Sequence, residues 1–212
     1  SNNIGIGRTA GYGVKGEYNV FIGGYAGVGA VDPFYGGVDV DNNVGIGNRA
    51  LNLVLNSNNV AVGYYAGKNA TSGSGNTFIG SQAGEGSTSA PFGTGGSNTF
   101  IGASAGKAFT TGANNAAFGA SAMLFNTSGN YNTSIGAQSM KANTTGGANT
   151  ALGYAAGFGL QTGNYNVIIG NGAGYNLAGA SNTVLIGNYA GANINNTDAN
   201  STVAIGDGAL RY

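Results

Sequence analysis

A short motif, Asn-x-x-(Ile/Val/Leu/Phe)-Gly-x-x-Ala, recurs twelve times along the 212 residues and constrains the fold more than any other feature of the chain. Its anchor glycines are Gly7, Gly23, Gly47, Gly63, Gly80, Gly102, Gly119, Gly136, Gly153, Gly170, Gly187 and Gly206. Successive anchors lie 16, 24, 16, 17, 22, 17, 17, 17, 17, 17 and 19 residues apart. Such a period marks a repeat architecture, in which one unit cannot bury its apolar face alone and must be covered by its neighbours. Helix is disfavoured, because Gly, Asn and Thr dominate and the apolar residues alternate at a spacing of two. The pattern predicts an all-β solenoid of about twelve rungs, each rung holding two short strands and two corners. Parallel rungs about 4.8 Å apart would build a rod of roughly 50 to 55 Å.

Each column of the repeat carries its own expectation. The residue before the anchor is large and apolar in every copy, from Ile6 to Ile205, and reads as core. The residue three before it, mostly Val or Thr, lies on the same side of an extended strand. The middle residue then points outward, and there stand Phe21, Phe78, Phe100, Ile168 and Leu185. An outward stripe of that kind needs cover, which we assign to another subunit rather than to the chain's own loops. Three after the anchor the residue is Ala, or Ser139 in one copy, so the interior is narrow there. Four before the anchor stand Asn3, Asn19, Asn43, Asn59, Asn76, Asn98, Asn115, Asn132, Asn149 and Asn166, with Thr183 and Thr202 in the last two copies. Stacked in register, these amides can bridge rung to rung as a ladder.

Composition narrows the chemistry. The chain has no His and no Cys, so imidazole bases, Ser-His-Asp triads, thiolate metal sites and disulfides are excluded. Seven Lys+Arg balance seven Asp+Glu, which gives no net field to attract nucleic acid. No apolar run approaches the length of a membrane-spanning helix. Gly102-Ala103-Ser104-Ala105-Gly106-Lys107-Ala108 imitates a phosphate loop but is one residue short and has Ala108 where a hydroxyl is required. Asp32, Asp39 and Asp41 cluster without regular calcium-loop spacing and read as solvated acids, with calcium as the alternative. No cofactor is expected, and no catalysis.

The two long intervals place surface insertions at 28–41 and 85–97 of a single 1–212 domain. They hold both prolines and candidate adhesion residues, Asp32, Phe34, Tyr35 and Phe92, although folding back onto the coil is the favoured role for their rings. Tyr25, Tyr64, Tyr154 and Tyr189 read as rung-to-rung packing, with carbohydrate contact the alternative. Arg8, Arg49, Lys68, Lys107, Lys141 and Arg211 read as solubilising corner residues.

Asn200-Ser201-Thr202-Val203-Ala204-Ile205-Gly206 and Asn59-Val60-Ala61-Val62-Gly63 with Ala66 resemble the head repeat of trimeric autotransporter adhesins, the YadA-like head. Gly129-Asn130-Tyr131-Asn132-Thr133-Ser134-Ile135-Gly136 is similar to repeats of trimeric phage tail fibres. The resemblance covers nearly all of the chain and implies a left-handed parallel β-roll, three copies side by side, in an extracellular, cell-surface or virion fibre that meets a host glycan or protein. The rungs are longer than the adhesin pattern, and no coiled-coil stalk or membrane anchor is visible. With no recognisable cap at either end, a segment of a longer fibre is expected, the alternative being a filament subunit that stacks head to tail. Ice binding ranks last, because Thr77, Thr99, Thr133 and Thr150 are interrupted by Ala116 and share the side assigned to the core.

Overall fold

The computed structural model describes residues 2–29, 37–88, 93–194 and 199–211. It is an all-β solenoid. Twelve three-residue strands, one at each anchor, run β1 (Ile4–Ile6), β2 (Val20–Ile22), β3 (Val44–Ile46), β4 (Val60–Val62), β5 (Thr77–Ile79), β6 (Thr99–Ile101), β7 (Ala116–Phe118), β8 (Thr133–Ile135), β9 (Thr150–Leu152), β10 (Val167–Ile169), β11 (Val184–Ile186) and β12 (Val203–Ile205). They form one parallel sheet in chain order. Matching positions pair throughout, as in Phe78↔Phe100 and Ile168↔Leu185. The longer connections do not disturb this register: β2 and β3 still pair Phe21↔Gly45, and the isolated bridges Val14↔Val38 and Ala70↔Gly93 bring the chain back onto the stack.

Among the described residues each rung has one strand, not the two expected. The return side runs through left-handed backbone two and four residues after the anchor, as at Ser121 (φ 57°) and Met123 (φ 48°), or Gln138 (φ 60°) and Met140 (φ 44°). Such angles lie outside the β region and break a second strand. The return side is nonetheless bonded rung to rung, with Thr127 N–H donating to Thr144 O and Thr144 N–H to Gln161 O, both at 2.9 Å.

The expected sidedness of the strand is reversed. Phe21, Phe78, Phe100, Ile168 and Leu185, assigned above to a subunit interface, are at most 1% exposed within the single chain and form its core. The flanking residues, assigned to the core, face outward: Ile79 is 39% exposed, Ile135 41% and Leu152 44%. A three-residue strand closing a narrow coil can turn only its middle residue inward. Its two flanking side chains point the other way.

Why the inward column varies from Gly to Phe becomes clear across the core. In most rungs the residue six later, four after the anchor, has a side chain of complementary size. Phe21, Phe78, Phe100, Ile168 and Leu185 are followed by Gly27, Gly84, Gly106, Gly174 and Gly191, whereas Gly45, Ala117 and Ser134 are followed by Leu51, Met123 and Met140. A Cβ on Gly106 would lie 2.3 Å from the Phe100 ring. Phe78, Phe100 and Phe109 pack at ring-centroid distances of 5.4 to 5.7 Å. These rungs are each filled once, from one side or the other, whereas Gly5/Gly11, Ala61/Gly67 and Ala151/Gly157 are small at both positions and take side chains from adjacent rungs, as Phe78 and Leu51 reach Gly67, so that the core keeps its density. Phe100→Ala should cost about 3 to 5 kcal/mol through the cavity it leaves. Adding Gly106→Met, which copies the Ala117/Met123 rung, should restore part of that loss in urea denaturation.

The anchor glycines are fixed by a different contact. Gly119 has φ 136°, and a Cβ there would lie 2.6 Å from the carbonyl oxygen of Gly136 in the next rung. Gly208 also has a positive φ, 59°, but a Cβ there meets nothing within 4 Å. Gly119→Ala should therefore destabilise by about 3 kcal/mol or more, combining backbone strain with a clash. Gly208→Ala should cost only about 1 kcal/mol, a difference that thermal melting would resolve.

Candidate functional site

The outer face of the sheet is a long surface without a partner in the single chain. Two parallel ranks run its length: Ile, Val, Leu or Phe before each anchor, and Val, Thr, Ile or Ala three before it. Neither rank contains a charged residue, and none of their members is buried. The ranks extend over twelve strands, roughly 50 Å at parallel-strand spacing. Contiguous apolar surface on that scale marks an interaction site on a folded protein. The outward apolar stripe therefore exists, but Ile, Val and Thr compose it and Phe21 and its counterparts do not. The signal that could have located it is the six-residue size complementarity, which only a core column would show. Thr77, Thr99, Thr133 and Thr150 also lie on this open face, which removes the objection that they belong to the core.

The Asn column lies at one edge of the core, where it works structurally. Asn132 illustrates the pattern: its Oδ1 accepts from the backbone N–H of Asn149 at 3.0 Å and from Asn149 Nδ2 at 3.1 Å, while its own Nδ2 donates to Gly146 O at 2.8 Å. Backbone N–H to Oδ1 bonds connect Asn43, Asn59, Asn76, Asn98, Asn115, Asn132, Asn149 and Asn166 without a break. Thr183 closes the run through its backbone N–H and its hydroxyl, both donating to Asn166 Oδ1. A second, shorter pair escaped the sequence reading. Asn143 Nδ2 donates to buried Asn126 Oδ1 at 3.0 Å, and Asn143 Oδ1 is left without a partner where the next rung supplies Leu160.

Charges gather along the flank that follows the anchors. The Arg8 guanidinium lies 5.4 Å from the Tyr25 ring centroid, Arg49 sits 5.4 Å from Tyr25 and 5.6 Å from Tyr65, and Lys68 sits 4.5 Å from Tyr65. This alternation of cation and ring is favourable stacking. Arg211 lies over Tyr189 in the same way, at 4.4 Å. Tyr64 stacks on Tyr65 at 4.0 Å. Their hydroxyls divide accordingly: hydrogen bonding with Tyr65 raises the Tyr64 pKa above the usual phenol value. The same hydrogen bond, aided by Arg49 and Lys68, lowers that of Tyr65. Tyr154 instead stands 56% exposed.

Further along this flank Lys68, Glu85 and Lys107 occupy one position in three successive rungs, with Lys68 Nζ 4.0 Å from Glu85 Oε1 and Lys107 Nζ 3.6 Å from Glu85 Oε2. Lys68 and Lys107 are thus ion-pair partners, beyond the solubilising role expected of them. Asp32, Phe34, Tyr35 and Phe92 lie outside the described residues. Asp39 and Asp41 border a shallow depression with Glu17 and Lys15, and no group of three potential metal ligands occurs among the described residues. No protein-family model, curated protein or solved structure matches the chain.

Asn132→Ala removes two acceptor contacts and one donor from a buried ladder, and should cost about 3 kcal/mol. Asn132→Thr should cost less, since Thr183 shows a hydroxyl reaching the same kind of oxygen. Urea denaturation of the two variants measures the difference.

Proposed function

We propose that the chain is a segment of a non-catalytic structural and adhesive fibre, in which three left-handed coils lie side by side with their sheet faces turned toward a common axis. The observation that carries this reading is the pair of outward ranks, uncharged over all twelve strands. An isolated rod would expose them to water, whereas sister copies would bury them and give the extended association the interior composition of an obligate interface. The motif resemblance to trimeric adhesin heads and phage tail fibres supports the same arrangement. In it the flanks remain outermost, available to a host surface, and the fibre works outside the cell or on a virion.

Light scattering tests the assembly. A mass of three times 20.7 kDa, independent of concentration, is expected. Replacing Ile79 and Ile135 together by Lys should return the mass to that of one chain without loss of β-structure by circular dichroism. A wild-type chain that stays at one-chain mass overturns the trimer, and a mass that grows with concentration favours a filament stacked head to tail.

A second reading is favoured by one observation, the open Thr positions Thr77, Thr99, Thr133 and Thr150 beside the Ile rank. Thr and Ile side chains spaced by the rungs suit ordered water, and so an ice face, although Ala116 interrupts the Thr rank. This use requires the surface to stay uncovered, which makes the two readings exclusive. Thermal hysteresis in dilute solution, abolished by Thr133→Lys, would establish the ice reading; its absence together with a trimer mass would eliminate it.

A further inference from the structure

On the flank, away from the sheet face, the rungs anchored at Gly80, Gly102 and Gly119 enclose an open cleft of about 670 Å³. That volume is in the range of small-ligand sites. Its position in the repeat explains its shape. Six residues after the anchor the three rungs carry Gly86, Ala108 and Phe125, so two small residues make a recess and the third raises a wall. Phe125 is 49% exposed and lines the cleft, and no ring contact occupies it among the described residues.

The rims are hydroxylic. Ser104, Thr110, Ser121 and Thr127 all line the cleft. Both threonine hydroxyls donate to a carbonyl in the following rung, Thr110 to Thr127 O at 2.9 Å and Thr127 to Thr144 O at 3.0 Å. Their donors are thereby used, and their lone pairs remain for an incoming O–H.

One end of the cleft is charged. Glu85 is only 6% exposed and its Oε2 accepts no hydrogen bond, so it acts on Lys107 through charge at 3.6 Å. Two ammonium groups on one carboxylate leave a surplus positive charge. Lys107 has three donors, and its side chain, 39% exposed, lines the cleft. Tethering by Glu85 reduces the freedom that Lys107 would lose on holding an anion.

An aromatic wall, hydroxyl rims offering acceptors and a pinned ammonium match the parts of an acidic sugar: its C–H face, its hydroxyls and its carboxylate. We propose that this cleft binds a short carboxylated oligosaccharide, with the carboxylate on Lys107, one ring against Phe125 and the ring hydroxyls on the Ser and Thr rims. The site lies off the outward ranks, so it does not depend on the oligomeric state assigned above.

Calorimetric titration with trigalacturonate and with neutral galactotriose tests the assignment. Trigalacturonate should bind saturably and more tightly than galactotriose. Phe125→Ala should weaken trigalacturonate by about tenfold, the loss of one stacked ring. Lys107→Met should weaken it by at least about tenfold and reduce or abolish its advantage over galactotriose. Lys141→Met, outside the cleft, should change neither. Because Lys107 pairs with a buried carboxylate, the melting temperature of each variant is measured alongside; the exposed Phe125 variant keeps the test decisive if Lys107→Met fails to fold. Equal affinity for the two sugars overturns the acidic assignment, and no saturable binding of either, or binding indifferent to Phe125→Ala, overturns the site.

Discussion

The whole stack depends on backbone touching backbone at the anchor glycines. In eleven of the twelve copies a Cβ would come within 3 Å of the next anchor's carbonyl, a separation that no side chain tolerates. This approach sets the rung spacing, and the other periodic interactions inherit it. Parallel pairing of the strands, the amide ladder and the alternation of cation and ring on the flank all require successive rungs at one distance and in one register. Residues between anchors can vary in number and kind, but an anchor with a rung beyond it cannot.

That division explains what was legible in the chain before its structure. Strand positions, register and the Asn ladder all follow from strict columns, and each is where the repeat puts it: β1 to β12 coincide with the anchors, and Asn43 through Asn166 are joined in order. Sidedness was not legible from column composition, because the most uniformly apolar column is not the core. Ile79 and Ile135 are uniform because they share an open face, whereas Phe100 and Ala117 differ because Gly106 and Met123 compensate for them across the interior. Constancy of size at one position was a weaker guide than the exchange of large for small between two, as between Phe100/Gly106 and Ala117/Met123.

The flank was legible in part. Its charges are visible as scattered Lys and Arg, but only the superposition of rungs shows Glu85 between Lys68 and Lys107, or Tyr25 between Arg8 and Arg49. Unequal intervals hide these neighbours: Glu85 and Lys107 are 22 residues apart in the chain and one rung apart in space. The cleft beside them has the same origin, since Gly86, Ala108 and Phe125 become a recess and a wall only when stacked.

The preserved pairing across unequal connections has an architectural consequence. Strands β2 and β3 are separated by more chain than β7 and β8, yet both pairs meet in register, so the length of a connection is decoupled from the advance of the rod. The coil is in effect a ruler graduated in strands. Peptide segments carried between chosen graduations would be displayed at set heights, leaving the scale itself unaltered by what hangs from it.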